Sequence, residues 1–192
     1  MVLKGNFPIL IGKFNKHHKI KKNLLNLLKE TNSETLKSID NYYSDKISRL
    51  DWYDKTNWER KWVKYIISDL INHFKNQIKK INLLDVVINA LWFQQYNKTD
   101  IHSWHVHGEN YTGVYYVEFD EKCPATQLID PITNKLIKIK IKEGDIIMFP
   151  SFVIHRAPLL KEDTRKTIIS FNLTFNNIQH KFLKNLIKKY SY

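Results

Sequence analysis

The rhythm of apolar and polar positions changes at Asp85. Before it, Trp62, Ile66, Leu70, Phe74 and Ile78 recur every four positions, Val63, Ile67 and Ile71 widen the stripe, and Lys64, Asp69, Lys75 and Lys79 lie opposite. This is the pattern of a helix laid on an apolar surface. Thr56-Asn57-Trp58-Glu59 has capping-box spacing, so the helix is predicted to open there. His73 sits beside the stripe and reads as a boundary residue. Leu24, Leu25, Leu27 and Leu28 predict a shorter helix over 20–30. Residues 7–14 read as a first strand, at an edge because of Pro8. The polar and aromatic segment 31–58, with Tyr42, Tyr43, Trp52, Tyr53 and Trp58, predicts loops with short helical pieces, its rings covering a sheet or lining a mouth. After Asp85, β-branched and aromatic runs predict strands over 86–96, 112–119, 127–129, 136–141, 146–149 and 166–175. Ile178, Phe182, Leu183 and Leu186 return to helical spacing at the tail.

Helices followed by seven or eight short strands predict a mainly β fold: a two-sheet jelly-roll, or cupin-like barrel, backed by N-terminal helices. The length of 192 residues fits one domain. Within it, 1–84 form a helical support, 85–176 the jelly-roll core and 177–192 a C-terminal helix. A hydrophobic content of 43% suffices for a packed core and argues against disorder. Cys123 is the single cysteine, so no internal disulfide forms, and a cytoplasmic protein is expected. Residues 1–6 show no signal peptide, and no apolar run approaches the roughly 20 residues of a membrane span, so no membrane partner is expected. The net charge of +12 comes from scattered lysines. It leaves an anionic partner open, nucleic acid included, without selecting one.

Candidate chemistry gathers around Trp104-His105-Val106-His107 and, fifty residues on, His155 after Phe149-Pro150-Ser151. Two histidines two apart at the start of a strand project to one face, because strand side chains alternate. A third from another strand completes a set of imidazoles suited to iron, zinc, copper or nickel. The usual facial triad for non-haem iron has two histidines and a carboxylate. Here the third ligand is either His107 or a nearby acid, Glu109 first, with Asp100 and Glu118 weaker. His102, three residues before His105, is expected to face the other way. Arg165 offers a guanidinium that can clasp a carboxylate through two parallel hydrogen bonds, or else pair with Glu162 or Asp163 at the surface. Lys166 should point to the opposite face. Thr167 and Tyr96 or Tyr116 can add hydroxyl bonds.

These motifs occur in a fixed order: Trp104-His105-Val106-His107, Gly113-Val114-Tyr115-Tyr116-Val117, Asp130-Pro131, Gly144 to Ser151, His155, and Arg165 to Asn172. Jointly they resemble the iron(II)- and 2-oxoglutarate-dependent oxygenases, above all a small phage and bacterial subgroup. The resemblance implies a double-stranded β-helix, iron on His105 and His155, and the distal carboxylate of 2-oxoglutarate on Arg165. His107 stands where most relatives outside the subgroup have a carboxylate, which also opens halogenation beside hydroxylation. The implied reaction consumes dioxygen and 2-oxoglutarate, hydroxylates a prime substrate and releases succinate and CO2. That substrate can be a protein side chain, a nucleobase or a small metabolite. Two other readings compete. His105-x-His107-x-Glu109 with a later histidine also resembles the cupin ligand pattern, and a basic sandwich could be a non-catalytic nucleic-acid-binding module. Arg165 separates the first two, because it has a clear task only if 2-oxoglutarate binds.

Overall fold

A computed structural model describes residues 7–39 and 44–190. Its centre is a seven-stranded antiparallel sheet of β1 (Leu10–Lys13), β9 (Asp145–Pro150), β6 (Tyr111–Glu118), β11 (Lys166–Phe175), β4 (Val86–Tyr96), β3 (Ser44–Leu50) and β2 (Glu34–Ile39), in that spatial order. A four-stranded sheet, β5 (His102–His105), β10 (His155–Ala157), β7 (Gln127–Ile129) and β8 (Leu136–Ile137), packs across it. Two helices, α1 (His17–Glu30) and α2 (Lys61–Ile78), cover the outer face of the large sheet, and α3 (His180–Tyr190) follows β11.

Strand alternation divides the core in two. Odd-numbered Leu91, Phe93, Tyr115, Ile169 and Phe171 face the helices and bury Leu24, Leu28, Trp62, Ile66, Leu70 and Phe74. Residues of the other parity, such as Tyr96, Val114, Tyr116 and Ile168, face the small sheet and meet Leu128, Phe149 and Val153. A fully buried side chain of this size contributes about 1.5–3 kcal/mol, so each layer is a substantial anchor. Gly113 is needed where β6 crosses under Phe171: an added Cβ would lie 2.1 Å from the Ile147 carbonyl oxygen and 2.6 Å from the Phe171 ring.

Several local expectations are corrected. Segment 31–58 is not loop: β2 and β3 form an antiparallel hairpin that extends the large sheet, followed by one 3-10 turn at Trp52–Asp54. Tyr42 and Tyr43 lie outside the described residues. The helix α2 begins at Lys61 rather than Thr56, and its N-cap residue, Arg60, makes no side-chain cap. The reason is a buried knot. The Asp51 carboxylate accepts from Arg60 Nη1 at 2.5 Å, Trp62 Nε1 at 2.9 Å and the Phe93 amide at 2.8 Å, while Arg60 Nη2 donates to the Leu91 carbonyl. This fixes Arg60 outside the helix, and Asn57 and Glu59 form a side-chain-to-backbone turn before it. The expected strand over 136–141 pairs only at Leu136–Ile137. Beyond that, Ile139 and Ile141 still pack inward, and Lys138 and Lys140 outward, without a ladder.

Candidate metal centre

His105 closes β5, and His155 opens β10; the two residues are paired across the strands. His107 lies just past the end of β5, where the Ser151 carbonyl accepts its backbone N–H at 3.0 Å. The expected projection by alternation along one strand is thus replaced by a tethered loop, which turns His107 toward the same point. One ligand atom from each of His105, His107 and His155 lies within 4.8 Å of the others, and this is the only such three-residue group among the described residues. Ring centroids are 4.2 Å apart for His105 and His155 and 5.1 Å for the other two pairs.

The chemistry of the donor set fits a metal ion. His105 Nδ1 lies 2.7 Å from the Ser103 carbonyl, and His155 Nδ1 lies 2.9 Å from that of Val153. A carbonyl only accepts, so each Nδ1 carries the proton and each Nε2 keeps its lone pair free for a ligand bond. Burial lowers all three pKa values. His107 is pushed down to about 4, with the His105 ring adding to the effect, and His155 lies well below its usual value. His105 is lowered as well, against a backbone hydrogen bond and Asp45, which raise it. Near neutral pH the three imidazoles are therefore uncharged, the form that binds metals.

Other expected residues fall differently. Glu109 is half-buried and does not join the cluster. Asp100 is buried as a loop anchor, its Oδ2 accepting from the amides of Ser48 and Asn97. His102 does not face away. Its ring stacks on His105 with centroids 4.0 Å apart. The cause is a bulge: β10 residues 155 and 157 pair with β5 residues 105 and 102, so one extra residue in β5 resets the alternation. Burial first, then His105 and His107, pushes the His102 pKa down to about 3.

Arg165 lies on the outer side of the large sheet, against Glu118. Its Nε and Nη2 donate to Glu118 Oε2 and Oε1 at 2.8 and 2.9 Å, and the side chain is 53% exposed. Thr167 shares that outer side, donating to the same carboxylate at 2.7 Å. It is Lys166 that points in. Paired with Tyr96 across β11 and β4, it is 1% exposed, and its ammonium lies 4.5 Å from the Tyr96 ring centre. Its one hydrogen bond is a long 3.3 Å contact to the Pro124 carbonyl, and no carboxylate pairs with it among the described residues. Burial lowers its pKa to about 8. Beside it the Tyr96 hydroxyl is buried without a partner, whereas the Tyr116 hydroxyl donates to Thr126 Oγ1 at 2.8 Å. The buried ammonium has one long hydrogen bond and no counter-charge among the described residues, and the phenol beside it has no acceptor, so both have unused donor capacity. A sequence signal existed. Lys166, Ser170 and Asn172 share one parity of a strand buried on both faces, and polar residues of one parity mark its functional side.

The space at the centre has two parts. An inner gap of about 20 Å³ runs between the imidazoles, Tyr96, Thr126 and Ser170. An outer cavity of about 320 Å³ opens past His105 and His107 between Leu36, Ile47, Trp52, Tyr53, Trp92 and Val106.

No protein-family model matches the sequence, and no curated protein matches it. Solved structures do. An oxidoreductase of the 2OG-Fe(II) oxygenase family from Burkholderia pseudomallei matches with a TM-score of 0.67 at 9% identity, over 90% of this chain and 88% of that one. A prolyl hydroxylase from Trichoplax adhaerens, solved with a hypoxia inducible factor peptide fragment, matches with a TM-score of 0.57 at 16% identity, over 88% and 83%. HygX from Streptomyces hygroscopicus, solved with nickel and 2-oxoglutarate bound, matches with a TM-score of 0.60 at 7% identity, over 88% and 83%. At these identities the likeness is one of fold: the chain has the double-stranded β-helix of the 2OG-Fe(II) oxygenases.

Proposed function

We propose that this chain is an Fe(II)- and 2-oxoglutarate-dependent oxygenase. In it His105, His107 and His155 hold the metal, and Lys166 takes the role expected of Arg165. The observation that carries the proposal is the buried Lys166 ammonium, without a counter-charge, on the same interior side of the barrel as three neutral imidazoles. Three imidazoles alone serve a cupin equally well. A buried cation beside an orphan hydroxyl gives a carboxylate of opposite charge a reason to enter.

Ferrous iron and 2-oxoglutarate, when bound, would supply the oxidative chemistry in which dioxygen oxidises both the keto acid, to succinate and CO2, and the substrate. The protein's own contributions are more specific. The Ser103 and Val153 carbonyls fix the imidazole tautomers. Lys166 and the Tyr96 hydroxyl would hold the distal carboxylate by two charge-assisted hydrogen bonds, the first also an ion pair. The inner gap is narrow, so admitting a five-carbon diacid requires lining side chains to shift. The outer cavity receives the group to be oxidised. Apart from Gln94 and the neutral histidines its walls are aliphatic and aromatic, with no charged side chain among the described residues, so we assign it an uncharged, largely apolar group. Hydroxylation is the outcome we expect there.

The test is an anaerobic titration of the Fe(II)-loaded protein with 2-oxoglutarate, monitored by visible absorbance. A weak charge-transfer band that saturates with the keto acid is the expected result. Metal binding with no such band would assign the centre to a cupin-like protein instead.

A further inference from the structure

The helix α3 is amphipathic, and no residue along it is buried. Phe182, Leu183, Leu186, Ile187 and Tyr190 form one stripe at helical spacing. Leu183 is 41% exposed, Ile187 56% and Tyr190 60%, so most of the stripe faces water rather than the body of the protein. The remaining positions are His180, Lys181, Lys184, Asn185, Lys188 and Lys189. From residue 164 to 192 the chain contains no Asp or Glu. Among the described residues its hydrogen-bonded tether is the turn before it: the Asn82 carbonyl accepts from the Gln179 amide, the Lys79 carbonyl from Gln179 Nε2, and Ile178 bridges to Leu83, while Phe182 and Leu186 are half-buried. That tether places exposed Lys79 and Lys80 beside the start of the helix, with Asp85, which binds Asn177 Nδ2, the neighbouring acid.

We propose that α3 docks on an anionic lipid surface, with its apolar stripe in the headgroup region and its lysines on the headgroup charges. A large apolar face opposite a lysine-only charged face is what an interfacial helix needs. At about 16 Å, the helix is long enough to lie in the membrane plane. No described helix is long and apolar enough to cross a membrane, so the attachment is peripheral. Charge selects this occupant over a second copy of the chain. Pairing two such stripes would crowd the lysines of both helices around a small interface with no acid on either helix, whereas anionic headgroups supply the missing counter-charge. The proposal is independent of the oxygenase reading.

The test is co-sedimentation of the full chain with vesicles of phosphatidylcholine alone or with about 30% phosphatidylserine. Binding to the anionic vesicles should exceed binding to the neutral ones by about tenfold or more, and should fall about fivefold for each of Lys184→Gln and Lys188→Gln. Leu183→Glu/Ile187→Glu, at exposed positions, should abolish it while leaving the unfolding transition in place. Equal binding to both vesicle types would overturn the proposal, as would anionic binding that survives the double glutamate variant, which would mark a plain polycation contact. A dimer that this variant dissociates, with no vesicle binding by the native chain, would overturn it too and assign the stripe to self-association.

Discussion

His105 and His155 use one device twice: each places its Nδ1 proton on the carbonyl two residues earlier, and so aims a bare Nε2 at the centre. His107 has no such hydrogen bond, yet it stands where a carboxylate is the usual third ligand. A neutral donor set leaves the full charge of a divalent ion for bound anions to balance. His107→Ala should lower Fe(II) affinity by about tenfold or more, read by metal content after desalting. Unchanged occupancy would move the third ligand to water or Glu109. Lys166 sets a pH dependence. Its pKa is lowered to about 8, so below that pH the ammonium holds the carboxylate, and above it a neutral amine does so poorly. The dissociation constant of 2-oxoglutarate should therefore rise about tenfold per pH unit above pH 8, until the pKa of the complex is reached. A flat profile to pH 9.5 would remove Lys166 from the site. The ligand-free protein should show the opposite trend. A lysine titrates near 10.4 when unfolded, so the unfolded chain holds more protons between about pH 8 and 10.4, and stability rises with pH across that window. The three histidines were legible as a group in the sequence. The choice between Arg165 and Lys166 was carried only by the polar parity of β11, Lys166, Ser170 and Asn172, and one residue of phase reverses every side chain.

At the scale of elements, the stripe of α2 and the strand character of β4, β6 and β11 followed directly from periodicity. What escaped was set by distant partners. The hairpin of β2 and β3 has only two apolar residues in each strand, Leu36 and Ile39, Ile47 and Leu50, three apart rather than alternating, and gains its place by pairing with β4. The start of α2 is decided by Asp51, nine residues before Arg60, rather than by the capping box. Asp51→Ala would leave the Arg60 guanidinium buried without its carboxylate. It should cost about 3–5 kcal/mol in chemical denaturation, far more than an exposed ion pair of the same residue types. A loss under about 1 kcal/mol would show that water can replace the knot. Gly113→Ala tests the same layer from the sheet side. Its methyl meets backbone and a packed ring, so a destabilisation of about 1–3 kcal/mol is expected by the same measurement.

For the whole molecule, the jelly-roll class was legible from strand count and order, but the way its two sheets share the site was not. The imidazoles come from the rim of the small sheet and the ammonium from the large one, so the site exists only when both are closed on each other. The net charge of +12 says little about this interior, whose outer cavity is apolar; at α3, by contrast, lysines gather on one face of a helix. The central claim is that the fold, through the register of β11, brings Lys166 and not Arg165 to the keto acid. The most direct measurement compares 2-oxoglutarate affinity of native protein, Lys166→Met and Arg165→Ala, each loaded with Fe(II) without oxygen and titrated to the charge-transfer band. Lys166→Met should keep its metal and bind the keto acid about 100-fold more weakly, the worth of a buried charge-assisted hydrogen bond, while Arg165→Ala stays within about threefold of native. The reverse pattern, with Arg165→Ala losing the keto acid and Lys166→Met retaining it, would contradict the account.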